Sequence, residues 1–136
     1  MEFMAIEVLE GGLHTYRHDL EAFFYVFLWV IIGHRGTGHS LPAQSELRNW
    51  YLGSYAQIAN AKRSNMNKKK FRAILAEFPE ELEDLKAAAE ELRGILFPIQ
   101  EESLFTGTYG DPDKLYRPMI EAFDRAIVRR RVIASS

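Results

Sequence analysis

The chain has 136 residues, enough for one hydrophobic core of moderate size. Apolar residues make up 47% and charged residues 26%, and the formal net charge is −2, so no bulk field draws the chain toward nucleic acid or an anionic membrane. Cysteine is absent, which excludes a disulfide scaffold, thiolate metal ligands and cysteine nucleophiles.

Phe3 to Glu10 reads as a short helix stopped by Gly11-Gly12. Arg17-His18-Asp19-Leu20-Glu21 then leads into eleven consecutive apolar residues, Ala22 to Ile32, five of them aromatic. A helix with no polar face must be surrounded, and this run is shorter than the about 20 residues needed to cross a bilayer. The spacing therefore predicts a central helix buried in protein, capped by Thr15 or Asp19 and closed by Gly33, with no membrane partner. Acidic residues (Glu2, Glu7, Glu10) stand where a secretory signal needs a basic lead-in, and no small-x-small site follows Ile32. An intracellular location, cytoplasmic or nuclear, is expected.

His34 to Gly38 reads as a loop, and a polar connection runs from Leu41-Pro42 through Trp50 to Leu52-Gly53. Ser54-Tyr55-Ala56-Gln57 has capping-box spacing and opens a helix to about Lys62, followed by a basic, solvated turn to Lys70. Phe71, Ile74, Leu75 and Phe78 share one helical face. Pro79 breaks that helix and starts another, with Leu82, Leu85, Ala89, Leu92 and Leu96 at three-and-four spacing, stopped by Phe97-Pro98. Thr106 to Pro112 is loop. A last amphipathic helix carries Tyr116, Ile120, Phe123 and Ile127 on one stripe and Arg129-Arg130-Arg131 in its final turns. No strand and no internal repeat is apparent. The expected fold is mainly α, five to six helices without a sheet.

Few constellations carry chemistry. His14 and His18 have the four-residue spacing of paired zinc ligands, but Thr15 stands where the hydrolytic motif needs glutamate and no third ligand follows, so a cap or surface pair is the default and a metal-dependent enzyme the outside alternative. Gly33, Gly36 and Gly38 leave a helix instead of entering one, which is wrong for a phosphate loop. Lys62, Arg63, Lys68, Lys69, Lys70 and Arg72 form a basic cluster, read as a solvated face and not a nucleic-acid site. Ser40 and Ser103 lack an elbow motif. Glu7 and Asp19 differ, because both lie beside apolar segments where an unpaired charge is costly.

Phe3-Met4-Ala5-Ile6-Glu7-Val8-Leu9, then His14, then Arg17-His18-Asp19-Leu20-Glu21-Ala22-Phe23-Phe24-Tyr25-Val26 resembles the large lobe of protein kinases, closest to the fungal-type protein kinase family. Ala5-Ile6-Glu7 stands where kinases carry Ala-Pro-Glu, and Asp19 where an aspartate opens the lobe's central helix. Trp50, the Gly53-Ser54 turn and Lys62 are similar to the family's next segment. The resemblance covers residues 3 to 62, and more loosely 62 to 127. It implies that Glu7 pairs with an arginine near the last helices, Arg117 or else Arg93. It further implies that Asp19 braces a catalytic loop and that Phe3 and Met4 border the substrate-docking groove. Ile6 in place of proline, and Ala22 in place of a hydroxyl residue, depart from the pattern.

The family's activity is ATP-dependent phosphoryl transfer to protein serine or threonine. These 136 residues contain no glycine-rich loop, strand lysine, His-Arg-Asp or Asp-Phe-Gly sequence. No catalytic, cofactor or metal residue is therefore assigned, and ATP and magnesium are expected only of a full-length relative. Residues 1–136 are expected to form one partial kinase-like domain, from the Ala-x-Glu site to the last helix, inactive alone. Apolar surface left uncovered on such a piece would favour a protein partner or self-association. The alternative is a non-catalytic helical protein-interaction module.

Overall fold

The computed structural model describes residues 2–33, 41–100 and 103–135. The predicted loop at His34 to Gly38 lies outside them.

Among the described residues six α-helices carry the fold: α1 (Ile6–Leu9), α2 (Tyr16–Gly33), α3 (Tyr55–Asn65), α4 (Phe71–Leu75), α5 (Lys86–Leu96) and α6 (Asp113–Ser135). The 3-10 segments Glu46–Trp50 and Glu80–Leu85 lie before α3 and α5. The mainly α expectation holds. The addition is a minimal antiparallel pairing of β1 (Ile99–Gln100) with β2 (Ser103–Leu104), in which Ile99 faces Leu104. Two residues per strand give no periodicity to read.

The helix α1 is shorter than expected because Ala5 is extended and acts as its N-cap. Its end is built on glycine. Gly11 adopts φ +92°, and the Gly12 amide donates to Glu7 O at 2.7 Å, an approach where a Cβ on Gly12 would stand 2.9 Å from that oxygen.

In α2, positions 17, 21, 24, 28 and 32 are all buried, while Asp19, Phe23, Val26 and Val30 share an exposed face. The helix is therefore covered on one side only, which corrects the expectation that it is surrounded. Phe23 is 53% and Val30 64% exposed. No helix among the described residues is long and apolar enough to cross a membrane. The buried side of α2 packs Phe24, Tyr25 and Leu28 against Trp50, Ile58, Phe71 and Leu92. Tyr25 and Trp50 rings lie 4.9 Å apart and Phe24 stacks on Phe71 at 6.0 Å.

Ser54 and Gln57 form the expected capping box, with Ser54 N–H donating to Gln57 Oε1 at 2.7 Å and Gln57 N–H to Ser54 Oγ at 3.2 Å. The helix they open continues to Asn65, so Lys62 sits on its inner face and not in a solvated turn. The single helix expected from Pro79 divides at Leu82, whose φ of −116° is not helical. In α6 the buried positions are Leu115, Met119, Ala122 and Ala126. The larger stripe, Tyr116, Ile120 and Ile127, faces outward, with Phe123 half-buried between the two faces. Small residues bury where helices approach closely, and the bulkier stripe misled the amphipathic reading.

Candidate functional site

Four side chains from α2 and α3 grip the segment Met4 to Glu10. Lys62 Nζ donates to Met4 O at 2.6 Å, the Ile6 amide donates to Glu21 Oε2 at 2.8 Å, His18 Nε2 meets Glu7 Oε1 at 2.8 Å, and Arg63 donates to both Glu10 oxygens at 2.8 Å. Short helix α1 has little stability of its own. These contacts, with buried Ala5, Ile6 and Leu9, fix its position.

At the centre lies a buried ion pair one helical turn long. Arg17 and Glu21 face each other inside the protein, and Glu21 also accepts the Tyr25 hydroxyl. The second guanidinium nitrogen of Arg17 donates to Leu96 O at 2.6 Å, and its carbon lies 4.9 Å from the Phe97 ring centre. Burial lowers the Arg17 pKa and raises that of the Tyr25 phenol. Glu21 thus collects a cation, a hydroxyl and a backbone amide, which together offset the cost of burying its charge.

His18 is fully engaged. The Thr15 amide donates to its Nδ1 at 2.9 Å, so that nitrogen carries the lone pair and Nε2 carries the proton it gives to Glu7. Thr15, not Asp19, precedes the first turn of α2, and His18 takes the place a capping-box glutamate would hold. His14 instead meets exposed Asp19 at 2.6 Å. The described residues hold no group of three or more histidine, cysteine or carboxylate side chains placed to hold a metal.

Lys62 is fully buried, its ammonium 4.6 Å from the Tyr25 ring centre and 5.7 Å from that of Trp50. Burial pushes its pKa down from 10.5 to about 7, against a smaller upward pull from Glu2. The basic cluster is broken up accordingly: Lys62 points inward, Arg63 holds Glu10, and Lys70 reaches Ser64 Oγ at 3.1 Å.

Phe3 and Met4 line a hollow of 250 Å³ with Ala5, Val8, His18 and Ala22, and Phe3 packs edge-on against Trp29 at 5.3 Å. The expected pairing of Glu7 with Arg117 is not formed. Arg117 is exposed and meets Asp113 at 3.5 Å, while Arg93 holds Glu90 at 2.8 Å and Met66 O at 3.1 Å. The physical reason is local: α6 turns its residue 117 outward, whereas His18 sits one turn inside α2, facing Glu7. Sequence reasoning missed Arg17, Glu21 and Lys62, although the four-residue spacing of Arg17 and Glu21 was a usable signal.

The family model described as fungal protein kinase matches residues 1–31 of the chain. That span holds α1, its glycine turn and all but the end of α2. No curated protein and no solved structure matches the chain.

Proposed function

We propose that the chain adopts the C-terminal part of the large lobe of a fungal-type protein kinase fold and works as a non-catalytic, protein-binding element. The observation that carries this reading is a coincidence of position. The residues matched to the fungal protein kinase family are the ones drawn together by Glu21, His18 and Lys62 around Ala5-Ile6-Glu7. In this reading the grip replaces the glutamate–arginine pair as the anchor of the segment that shapes a substrate groove, which Phe3 and Met4 border. Asp19 supports it too. It stands exposed on the same face of α2 as Phe23, Val26 and Val30, the face a catalytic loop would cover.

The non-catalytic half rests on the inventory of the 136 residues, which provides no phosphate-binding loop, metal-binding aspartate or catalytic base of kinase type. The whole chain is one partial domain in this account, and ATP and magnesium belong to full-length relatives.

A chimera tests the reading. Residues 3–62 replace the corresponding segment of an active fungal-type kinase, and phosphoryl transfer to a protein substrate is measured. Retained transfer that is lost on Glu21→Ala supports the lobe assignment. A folded chimera that binds ATP yet transfers nothing contradicts it. The 136-residue chain itself should show no change in melting temperature with ATP and magnesium, and a clear rise would contradict the non-catalytic half.

A further inference from the structure

The outward stripe of α6 presents Tyr116, Ile120, Phe123 and Ile127 at spacings of four, three and four, the pattern of a helix seam. Ile120 is 56% and Ile127 49% exposed. Beside the stripe, Phe23 of α2 meets Phe123 with ring centres 5.8 Å apart, and a wholly apolar hollow of 270 Å³ opens between the two helices next to Ile120. A seam of this kind in water calls for a covering surface.

The charges beside the stripe identify that surface. Exposed Arg117, Asp124 and Arg131 form one flank of the seam, and Asp113 and Arg130 extend its two ends. In an antiparallel pair of two α6 helices, Tyr116 falls opposite Ile127 and Ile120 opposite Phe123. In the same register Arg117 lies within two residues of Asp124, and Asp113 falls opposite Arg130, which within its own chain holds Asp84 at 3.0 Å. A parallel two-fold pair would put the Arg117–Asp124 flanks of the two helices on opposite sides of the seam, so these charges would not meet. The apolar positions match in either orientation, and the Arg117–Asp124 contact selects the antiparallel one.

We propose that a second copy of this chain covers the face, in a two-fold symmetric dimer whose α6 helices pair antiparallel through Tyr116, Ile120, Phe123 and Ile127. Arg117 and Asp124 cross-pair twice, once at each end of the seam, and the stripe residues of one protomer close the hollow between α2 and α6 of its partner. The inference rests on the non-catalytic, protein-binding reading and names its partner. Arg117, whose charged contact among the described residues is the 3.5 Å one to Asp113, gains its role here.

The test is sedimentation velocity with light scattering on the full chain over rising concentration. The chain should pass from monomer to dimer, and Ile120→Asp should hold it monomeric with its helical circular dichroism unchanged. Arg117→Glu and Asp124→Arg, each present twice in the dimer, should separately weaken it about tenfold, and the double variant should restore it. A folded chain that stays monomeric throughout, or that is covered only by a different protein, overturns the dimer. A dimer that ignores Ile120→Asp, or that the double reversal does not restore, overturns the antiparallel seam. Neither outcome touches the lobe assignment, which stands or falls on the chimera.

Discussion

Lys62 makes the stability of this protein depend on pH with an unusual sign and size. Its ammonium is buried between Tyr25, Trp50 and the Met4 carbonyl, and its pKa falls from 10.5 in water to about 7 in the fold. Below about pH 7 both folded and unfolded chains hold the proton, and the fold carries the full cost of a buried charge. Between about 7 and 10.5 only the unfolded chain holds it, so the unfolded state binds one proton more and stability rises with pH. The slope is about 1.4 kcal/mol per pH unit, and the separation of the two pKa values corresponds to about 5 kcal/mol across the whole window. From about pH 7 to about pH 9 the gain is about 3 kcal/mol, which moves a urea midpoint by about 1 M or more. Lys62→Met keeps the length of the side chain and removes the proton. Subtracting its unfolding free energy from that of the unsubstituted chain at each pH cancels the titration of all other groups. The difference should climb with pH at the stated slope. A difference that stays level from neutral pH to about pH 9 would refute the depressed lysine and the burial argument behind it.

Glu21→Gln should destabilise the chain by about 3–5 kcal/mol, because it leaves the Arg17 guanidinium buried without a counter-charge, and thermal unfolding followed by circular dichroism reads the loss. A double-mutant cycle on Glu7→Gln and His18→Gln should return a coupling energy of about 0.5–2 kcal/mol, whereas the cycle on Glu7→Gln and Arg117→Ala should return none. Gly12→Ala should cost about 1–3 kcal/mol in urea unfolding, since the new methyl group presses on Glu7 O and displaces the turn that closes α1.

The helical class and the capping box at Ser54 were legible from sequence because each depends on local pattern. What was not legible is which side of a helix faces the core when both sides are apolar. Beyond Ala22 the sequence of α2 offers no contrast, so Phe23, Val26 and Val30 read the same as Phe24, Leu28 and Ile32, and only the packing of α3 to α5 separates them. The contrast did exist one turn earlier. Arg17 and Glu21 share the inner face with Phe24 and Leu28, and Asp19 shares the outer face with Phe23. Of Glu7 and Asp19, the first belongs to the gripping network and the second is exposed. The resemblance points Glu7 to an arginine near the last helices, whereas the structure pairs it with His18, eleven residues away. Lys62 was hidden for a different reason. A lysine in a run with Arg63 and Lys68 to Lys70 reads as solvent-facing, and only the continuation of α3 to Asn65 turns it inward. In α6 the residues that bury are mostly smaller than those that do not, so residue size pointed to the wrong stripe.

The central claim is that the segment Met4 to Glu10 is locked onto α2 and α3 by side-chain contacts, the buried one being Glu21 on the Ile6 amide. The Ile6 amide reports on it directly, since its hydrogen goes to Glu21 and not to a neighbouring turn. Native-state hydrogen exchange should find this amide protected to nearly the free energy of global unfolding, and Glu21→Ala should expose it to local opening. An Ile6 amide that exchanges as fast as an unstructured segment in the unsubstituted protein would contradict the claim.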